Sequence, residues 1–155
     1  MLLSAHGMGL DAPPGWEVRI SRRTAAGQEG DSRTRPVLHA ATVALPVVRG
    51  DFGGGVTGLL SATDLFVSLF EQGPDAVGTA LFSDRGRPRP VAADFSPNRL
   101  QRTIAGQSGG QWFFTEAGRA FSLYVVLGSH ARRVELVNRL TGVLSTLDLT
   151  PGDAS

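Results

Sequence analysis

The sequence contains no cysteine and no lysine, and only three of its 155 residues are histidine. Without cysteine the chain cannot form disulfide bonds, and it has neither a thiol nucleophile nor a thiolate metal ligand. The three histidines, His6, His39 and His130, are too far apart in the sequence to show the ligand spacing of a metal site. We therefore predict that the protein uses neither a metal nor a cofactor.

An excess of charge and a long hydrophobic run are also missing. All fifteen basic residues are arginine, and the net charge of +1 lacks the basic excess typical of nucleic-acid-binding domains. No segment approaches the ~18 consecutive apolar residues that a membrane span requires. The first residues do not show the charged and apolar regions of a signal peptide. We expect a cytoplasmic protein that neither spans a membrane nor binds nucleic acid.

What the chain does contain is typical of one globular domain. Hydrophobic residues make up 41% of the sequence and charged residues 19%, which is enough apolar material for a core in 155 residues. Arginine, alanine, glycine and valine have GC-rich codons, so their abundance indicates a GC-rich, bacterial genome. We predict a single domain over residues 9–150, preceded by a disordered or extended start at residues 1–8.

The clearest structural signal lies in the last third of the chain. Residues 120–127 are apolar on both faces of a predicted strand, and a helix is predicted over residues 131–147. The apolar positions of that helix recur at helical spacing: Leu136, Leu140, Val143, Leu144 and Leu147. We expect this stripe to pack on one face of a sheet.

Other segments complete the predicted architecture. Short apolar runs or alternating patterns predict five more strands: residues 16–20, 37–48, 65–71, 100–105 and 111–115. Residues 74–81 begin with proline and predict a short helix, whereas residues 22–36 are polar and predict a long loop. The pattern indicates an α+β fold, mostly an antiparallel β-sheet with a C-terminal amphipathic helix packed on one face.

The order of these elements resembles the PsbP-like α/β sandwich. Pro14, Gly15 and Trp16 lead into a strand, a meander comes late, and the last strand feeds a C-terminal helix. The group includes photosystem extrinsic proteins, a nuclear GTPase-binding relative and bacterial lipoproteins. The resemblance implies binding or assembly roles more often than catalysis. This chain shows neither the signal peptide nor the lipid-attachment cysteine of the exported members, and no functional residue can be transferred.

One motif suggests catalysis. Residues 106–110 match G-x-S-x-G, which would make Ser108 the nucleophile of a serine hydrolase. In that elbow a helix follows the serine, but here residues 111–115 predict a strand. In the chain order Ser, acid, His, the other triad members would be Glu116 and His130, within 22 residues of Ser108. The chymotrypsin-like order would use His39 and then Asp64 or Asp94, but that fold needs two barrels and this chain is too short for them. We favour a hairpin turn and lean against an enzyme, with hydrolysis at Ser108 kept as an alternative.

A glycine-rich loop runs from Gly50 to Gly58. Gly53, Gly55 and Gly58 have the spacing of a dinucleotide fingerprint, but no long helix follows them. A phosphate-binding P-loop would need a lysine, and the chain has none. We favour a bent connection, with nucleotide or anion binding through this loop as an alternative.

A second loop is basic and stiff. Gly86 and Pro88 separate three arginines in it, and two further arginines follow in the sequence. The candidate binding residues are Arg85, Arg87, Arg89, Arg99 and Arg102. They could contact an acidic protein or phosphate groups. The alternative is a set of solvated arginines without a binding role.

The apolar second face of the sheet needs a cover. One long helix can cover one face, and one short helix with loops covers only part of the other. The exposed remainder would be an interface, so we expect a protein partner or a homodimer. The sequence therefore favours a non-enzymatic binding or assembly domain that acts through protein–protein contact. We expect His39, on an apolar strand face, to be a hydrogen-bonded core residue.

Overall fold

Two antiparallel sheets and one α-helix form the protein in a computed structural model that describes residues 1–23 and 34–150. The larger sheet has five strands in the order β3-β4-β5-β7-β6. These are β3 (Glu17–Arg23), β4 (Arg35–Ala41), β5 (Leu65–Glu71), β6 (Ser108–Glu116) and β7 (Arg119–Leu127). The smaller sheet, in the order β1-β2-β8, contains β1 (Leu2–Ala5), β2 (Met8–Asp11) and β8 (Asp148–Leu149). The helix is α1 (Arg133–Leu144), and the predicted α+β fold class is confirmed.

The main core lies between α1 and one face of the larger sheet. Four residues of the predicted stripe are buried in α1: Leu136, Leu140, Val143 and Leu144. Val137, next to the stripe, is buried as well. They join one cluster with alternate residues of β7, such as Phe121 and Val125. Met8 and Leu10 of β2 belong to the same cluster, so the smaller sheet also packs on this face. The helix is shorter than predicted, because the chain turns after Leu144 to enter β8.

The start of the chain is ordered into a hairpin. β1 pairs antiparallel with β2, and the connecting residues His6 and Gly7 have φ angles of 54° and 77°. Two consecutive residues of positive φ are typical of the tight turns that match the twist of a hairpin. Residues 1–8, predicted to be a disordered or extended start, thus contain β1 and the first residue of β2. The sequence signal was weak because each strand has only four residues.

Several predicted elements differ from the structure. The strand predicted over residues 37–48 ends at Ala41, and β3 and β4 extend into the predicted loop as far as Arg23 and Arg35. The rest of that loop lies outside the described residues. Residues 100–105 form an irregular, bent segment instead of a strand, whereas the prediction over residues 65–71 is confirmed.

The short helix predicted over residues 74–81 is wrong. The chain makes two separate 3₁₀ turns there, Pro74–Ala76 and Ala80–Phe82. Gly78 lies between them at a φ of +89°, which is outside the range of a right-handed helix. This segment therefore adds no α-helix to cover the second face of the sheet.

The second face of the sheet is covered by the chain's own loops. Phe66, Tyr124 and Val126 are at most 1% exposed on this face. They pack against Leu45 and Val56 from the connection between β4 and β5, with Phe52, Leu60 and Leu100 at the margin. The Tyr124 hydroxyl accepts a hydrogen bond from the Gln101 N–H at 2.8 Å. The expected exposed apolar face is thus absent from the described part of the chain, and the prediction of a homodimer loses this support.

Candidate functional site

Ser108 is the first residue of β6 and has no exposed surface. Among the described residues its hydroxyl has no hydrogen-bond partner, and neither has the Nδ1 atom of His130. A serine hydrolase needs a base within hydrogen-bond reach of the nucleophile and a path for the substrate. Neither is present at Ser108, because the side chain is buried and no histidine bonds to it.

Close packing explains the glycines that follow Ser108. A Cβ atom on Gly109 would lie 2.9 Å from Leu100 Cδ2 and 3.0 Å from the Arg99 carbonyl oxygen. A Cβ atom on Gly110 would lie 2.6 Å from the Trp112 ring. Ser108, Gly109 and Gly110 lie in β6, so the predicted hairpin turn at this motif is wrong. Its two strand glycines leave room for neighbouring groups, and no sharp turn presents a nucleophile.

The glycine-rich loop of residues 50–58 is packed onto the sheet. The Asp51 carbonyl accepts hydrogen bonds from the Ser68 hydroxyl and from His39 Nε2, the latter at 3.2 Å. A Cβ atom on Gly53, where φ is +90°, would lie 2.4 Å from the Phe66 ring. Gly54–Leu59 forms a six-residue 3₁₀ helix. These contacts make the loop a cover for the second face of the sheet, as the predicted bent connection requires.

His39 lies under this loop and is 2% exposed. Because its Nε2 atom donates to the Asp51 carbonyl, its Nδ1 atom is free to accept, and it does so from Arg49 Nε at 2.9 Å. Burial, opposed in part by the bond to Asp51, lowers the pKa of His39 to about 4. The prediction of a hydrogen-bonded core histidine is confirmed.

The five candidate arginines do not form one patch. The backbone of Arg85 forms a parallel β-bridge with Thr115. The carbonyl group of Arg99, in contrast, lies beside Gly109. Thr115 and Gly109 are six residues apart along β6, which is about 20 Å of extended chain. Arg102 lies at the same end of β6 as Arg99, beside Gly58.

Arg87 has a structural role. Its guanidinium donates to both carboxylate oxygens of Glu116, from Nε to Oε1 at 3.1 Å and from Nη2 to Oε2 at 2.6 Å. It also donates to the Leu147 carbonyl, next to β8. A bidentate pair of this kind holds the basic loop in place. Arg85 and Arg89 are exposed, and neither makes a side-chain hydrogen bond or ion pair within the described residues.

β6 is an edge strand, and within the described residues only its two ends are paired on the outer side. Near one end, Gly109 N–H donates to the Ser96 carbonyl at 3.0 Å and Gly109 accepts from the Ser96 N–H at 3.1 Å. Near the other end, Thr115 N–H donates to the Asp84 carbonyl at 2.8 Å and Thr115 accepts from Gly86 N–H at 2.7 Å. The chain from residue 87 to residue 95 leaves the edge between these two bridges.

The middle of this edge has no backbone partner in residues 1–23 and 34–150. In a strand, the backbone groups of alternate residues point to the same side. Since those of Gly109 and Thr115 point outward, those of Gln111 and Phe113 point outward as well. None of their backbone N–H and C=O groups has a partner on that side within the described residues. Exposed strand edges of this kind are ready-made sites for pairing with another chain.

A cleft of roughly 440 Å³ surrounds these groups, and we call it the edge cleft. It is lined by Leu81, Asp84, Arg85, Gly86, Arg87, Pro88, Gln111, Trp112, Phe113 and Phe114. Trp112 and Phe113 lie on opposite faces of β6, and both are half-buried. Trp112 packs edge-on to Phe95 and Phe113 edge-on to Phe82, with ring centroids 5.5 and 5.6 Å apart. Aromatic contacts thus support the walls of the cleft on both faces of the sheet.

Part of the edge cleft is visible in the sequence, where Arg85 and Arg87 are candidate binding residues and Trp112 and Phe113 lie on a predicted strand. Leu81 and Gln111 carry no such signal, because no sequence pattern shows which strand lies at a sheet edge.

Two other kinds of site are absent from the described part of the chain. Residues 1–23 and 34–150 hold no group of three histidine, aspartate or glutamate side chains that could bind a metal ion. No helix within those ranges is long and apolar enough to cross a membrane.

Comparison with known proteins adds no further assignment. No family model matches the chain, and neither a curated protein nor a solved structure matches it. The resemblance to the PsbP-like sandwich thus stays a prediction, and function has to be inferred from the edge cleft itself.

Proposed function

We propose that this protein is a non-enzymatic binding or assembly domain that acts through protein–protein contact at the edge cleft. The observation that carries the proposal is the unpaired backbone of Gln111 and Phe113 between two paired ends of β6. A partner strand is the natural complement of such an edge. The half-buried Trp112 and Phe113 add the aromatic surface that is enriched at protein interfaces.

The two alternative functions have less support. Ser108 has no base and no access, so hydrolysis lacks its first requirement. The loop of residues 50–58 uses its Asp51 carbonyl and Gly53 to pack on the sheet. Anion binding through the basic loop is supported only at the exposed Arg85 and Arg89, and Arg85 lines the edge cleft and thus belongs to the proposed interface.

The compartment and the partner are proposed on the same basis. We propose the cytoplasm, in line with the expectation from the sequence. A second copy of the chain stays a predicted partner, but it would have to use a surface other than the edge of β6. The segments around Asp84 and Ser96 occupy the position of the next strand at both ends of that edge.

Site-specific photo-crosslinking in cells tests the proposal. The photoreactive residue p-benzoylphenylalanine replaces Leu81, which is 59% exposed at the edge cleft, or Val134, which is 65% exposed on α1. The two positions are matched in exposure and chemistry. We expect a discrete covalent adduct with another protein from position 81 and none from position 134. Absence of an adduct at position 81, or equal adducts at both positions, would contradict the proposal.

A further inference from the structure

We infer, on the basis of the proposed function, that the edge cleft binds the C-terminal residues of a partner protein as a short added β-strand. The terminal carboxylate of that partner faces Arg85. Three features of the cleft lead to this occupant: the number of free backbone groups, the closed ends, and the charge at one end.

The free backbone groups define how long the added strand is. Gln111 and Phe113 together present two N–H donors and two C=O acceptors on the outer side of β6. They are two residues apart, which is about 7 Å along a strand. An extended segment satisfies all four groups in ladder geometry with three residues if it pairs antiparallel and with five if it pairs parallel, and a longer one gains no further backbone bonds.

The closed ends define what kind of segment fits. The backbone of Asp84 and Gly86 occupies the position of the next strand beside Thr115, and the backbone of Ser96 does so beside Gly109. A continuous strand would collide with both segments, and so would the β6 edge of a second copy. A chain terminus avoids the collision at the end where it stops, and only its preceding residues have to turn away from the edge at the other end.

Charge selects the C-terminus over the N-terminus. Arg85 lies at the Thr115 end and is exposed, and its guanidinium has no partner within residues 1–23 and 34–150. The loop from Asp84 to Arg89 carries three arginines and one aspartate, and Arg87 is already paired with Glu116. An arginine without a partner attracts a carboxylate through charge-assisted hydrogen bonds, whereas it repels a terminal ammonium. With its carboxylate at this end, the bound segment runs parallel to β6.

The walls of the cleft select apolar side chains. Successive side chains of an added strand point to opposite faces of the sheet. One side chain therefore meets Trp112, and the next meets Phe113 and the exposed Leu81. The partner's C-terminal segment is expected to carry apolar residues at its last positions.

Peptide selection with matched termini tests the inference. The probes are N-acetylated pentapeptides with four randomised positions and a terminal Val, Leu, Ile or Phe, prepared once as free acids and once as amides. We expect the purified chain to enrich free-acid peptides. The amide form of a selected peptide should bind at least tenfold more weakly, because it lacks the charge that faces Arg85. Failure to enrich any free-acid peptide would overturn the inference.

Two variants and one spectroscopic readout make the test specific. Arg85→Gln should weaken binding of the selected peptide at least tenfold, and Arg85→Lys should restore part of it. Arg102→Gln, an exposed arginine at the opposite end of β6, should leave binding unchanged. Hydrogen exchange of the Gln111 and Phe113 amides should slow when the peptide binds. Binding that leaves both amides unprotected, or that survives Arg85→Gln, would overturn the inference.

The proposed function is tested separately from this inference. If position 81 crosslinks to a partner protein in cells but no C-terminal peptide binds, the protein-binding role stands and the occupant is wrong. If neither occurs, both are wrong.

Discussion

Acidification should destabilise this protein through one residue, His39. The imidazole is buried, and its neutral form donates to the Asp51 carbonyl and accepts from Arg49. A proton on Nδ1 would break the bond to Arg49 and place two positive charges side by side. Burial is the largest cause of the lowered pKa, and the charge of Arg49 lowers it further. The folded protein therefore resists a proton that the unfolded chain accepts.

The size of the effect follows from the two pKa values of His39. The pKa is about 4 in the folded protein and 6.5 in the unfolded chain. Since the folded pKa is lower, the stabilisation is fully present above pH 6.5 and is lost as the pH falls towards 4. One pKa unit corresponds to about 1.4 kcal/mol, so this residue alone should lower the free energy of unfolding by about 2 kcal/mol between pH 7 and pH 5.

Urea denaturation at several pH values measures this loss. Carboxylates also titrate in this range, so the decisive quantity is the difference between variants. His39→Gln keeps a donor for the Asp51 carbonyl but cannot titrate, and its unfolding free energy should fall by about 2 kcal/mol less than that of the wild type. His6→Gln, at an exposed histidine, should follow the wild-type curve. Parallel curves for the wild type and His39→Gln would refute the reasoning.

Three further outcomes follow from the packing. Leu140→Ala, at a fully buried position on α1, should lower the free energy of unfolding by about 2–5 kcal/mol. Urea denaturation measures this, and a loss below about 1 kcal/mol would mean that α1 does not pack as described. Gly53→Ala should lower the free energy of unfolding by more than about 1 kcal/mol, because φ is +90° and the new Cβ would meet Phe66. Gly55→Ala is the control and should lower it less, because a Cβ there would have nothing within 4 Å. A fluorophosphonate probe should not label Ser108, and labelling that disappears in Ser108→Ala would revive the hydrolase.

The parts of the fold that the sequence predicted are those governed by local periodicity. The apolar stripe of α1 and the bulky run from Leu65 to Glu71 carry strong patterns, and both form the expected element. The strand predicted to continue to residue 48 stops at Ala41, where the chain turns away to cover the second face of the sheet. That turn depends on tertiary contacts such as the packing of Leu45, which periodicity does not reveal.

The candidate site was only half predictable for the same reason. The arginines of the basic loop are visible in the sequence, but the engagement of Arg87 by Glu116 and the separation of Arg85 from Arg99 depend on the path of β6. The edge position of β6 depends on strand order, which places β7 inside the sheet and leaves Gln111 and Phe113 facing outward. No local pattern encodes that order.

The central claim is that the backbone of β6 is open at the edge cleft and is closed by a partner. Amide hydrogen exchange, resolved residue by residue with NMR, measures this directly. In the free chain, Gln111 and Phe113 should exchange much faster than Gly110 and Trp112, whose amides face β7. When the partner captured by crosslinking is bound, all four should exchange slowly. Equal protection of the four amides in the free chain, or no change at Gln111 and Phe113 with the partner bound, would contradict the account.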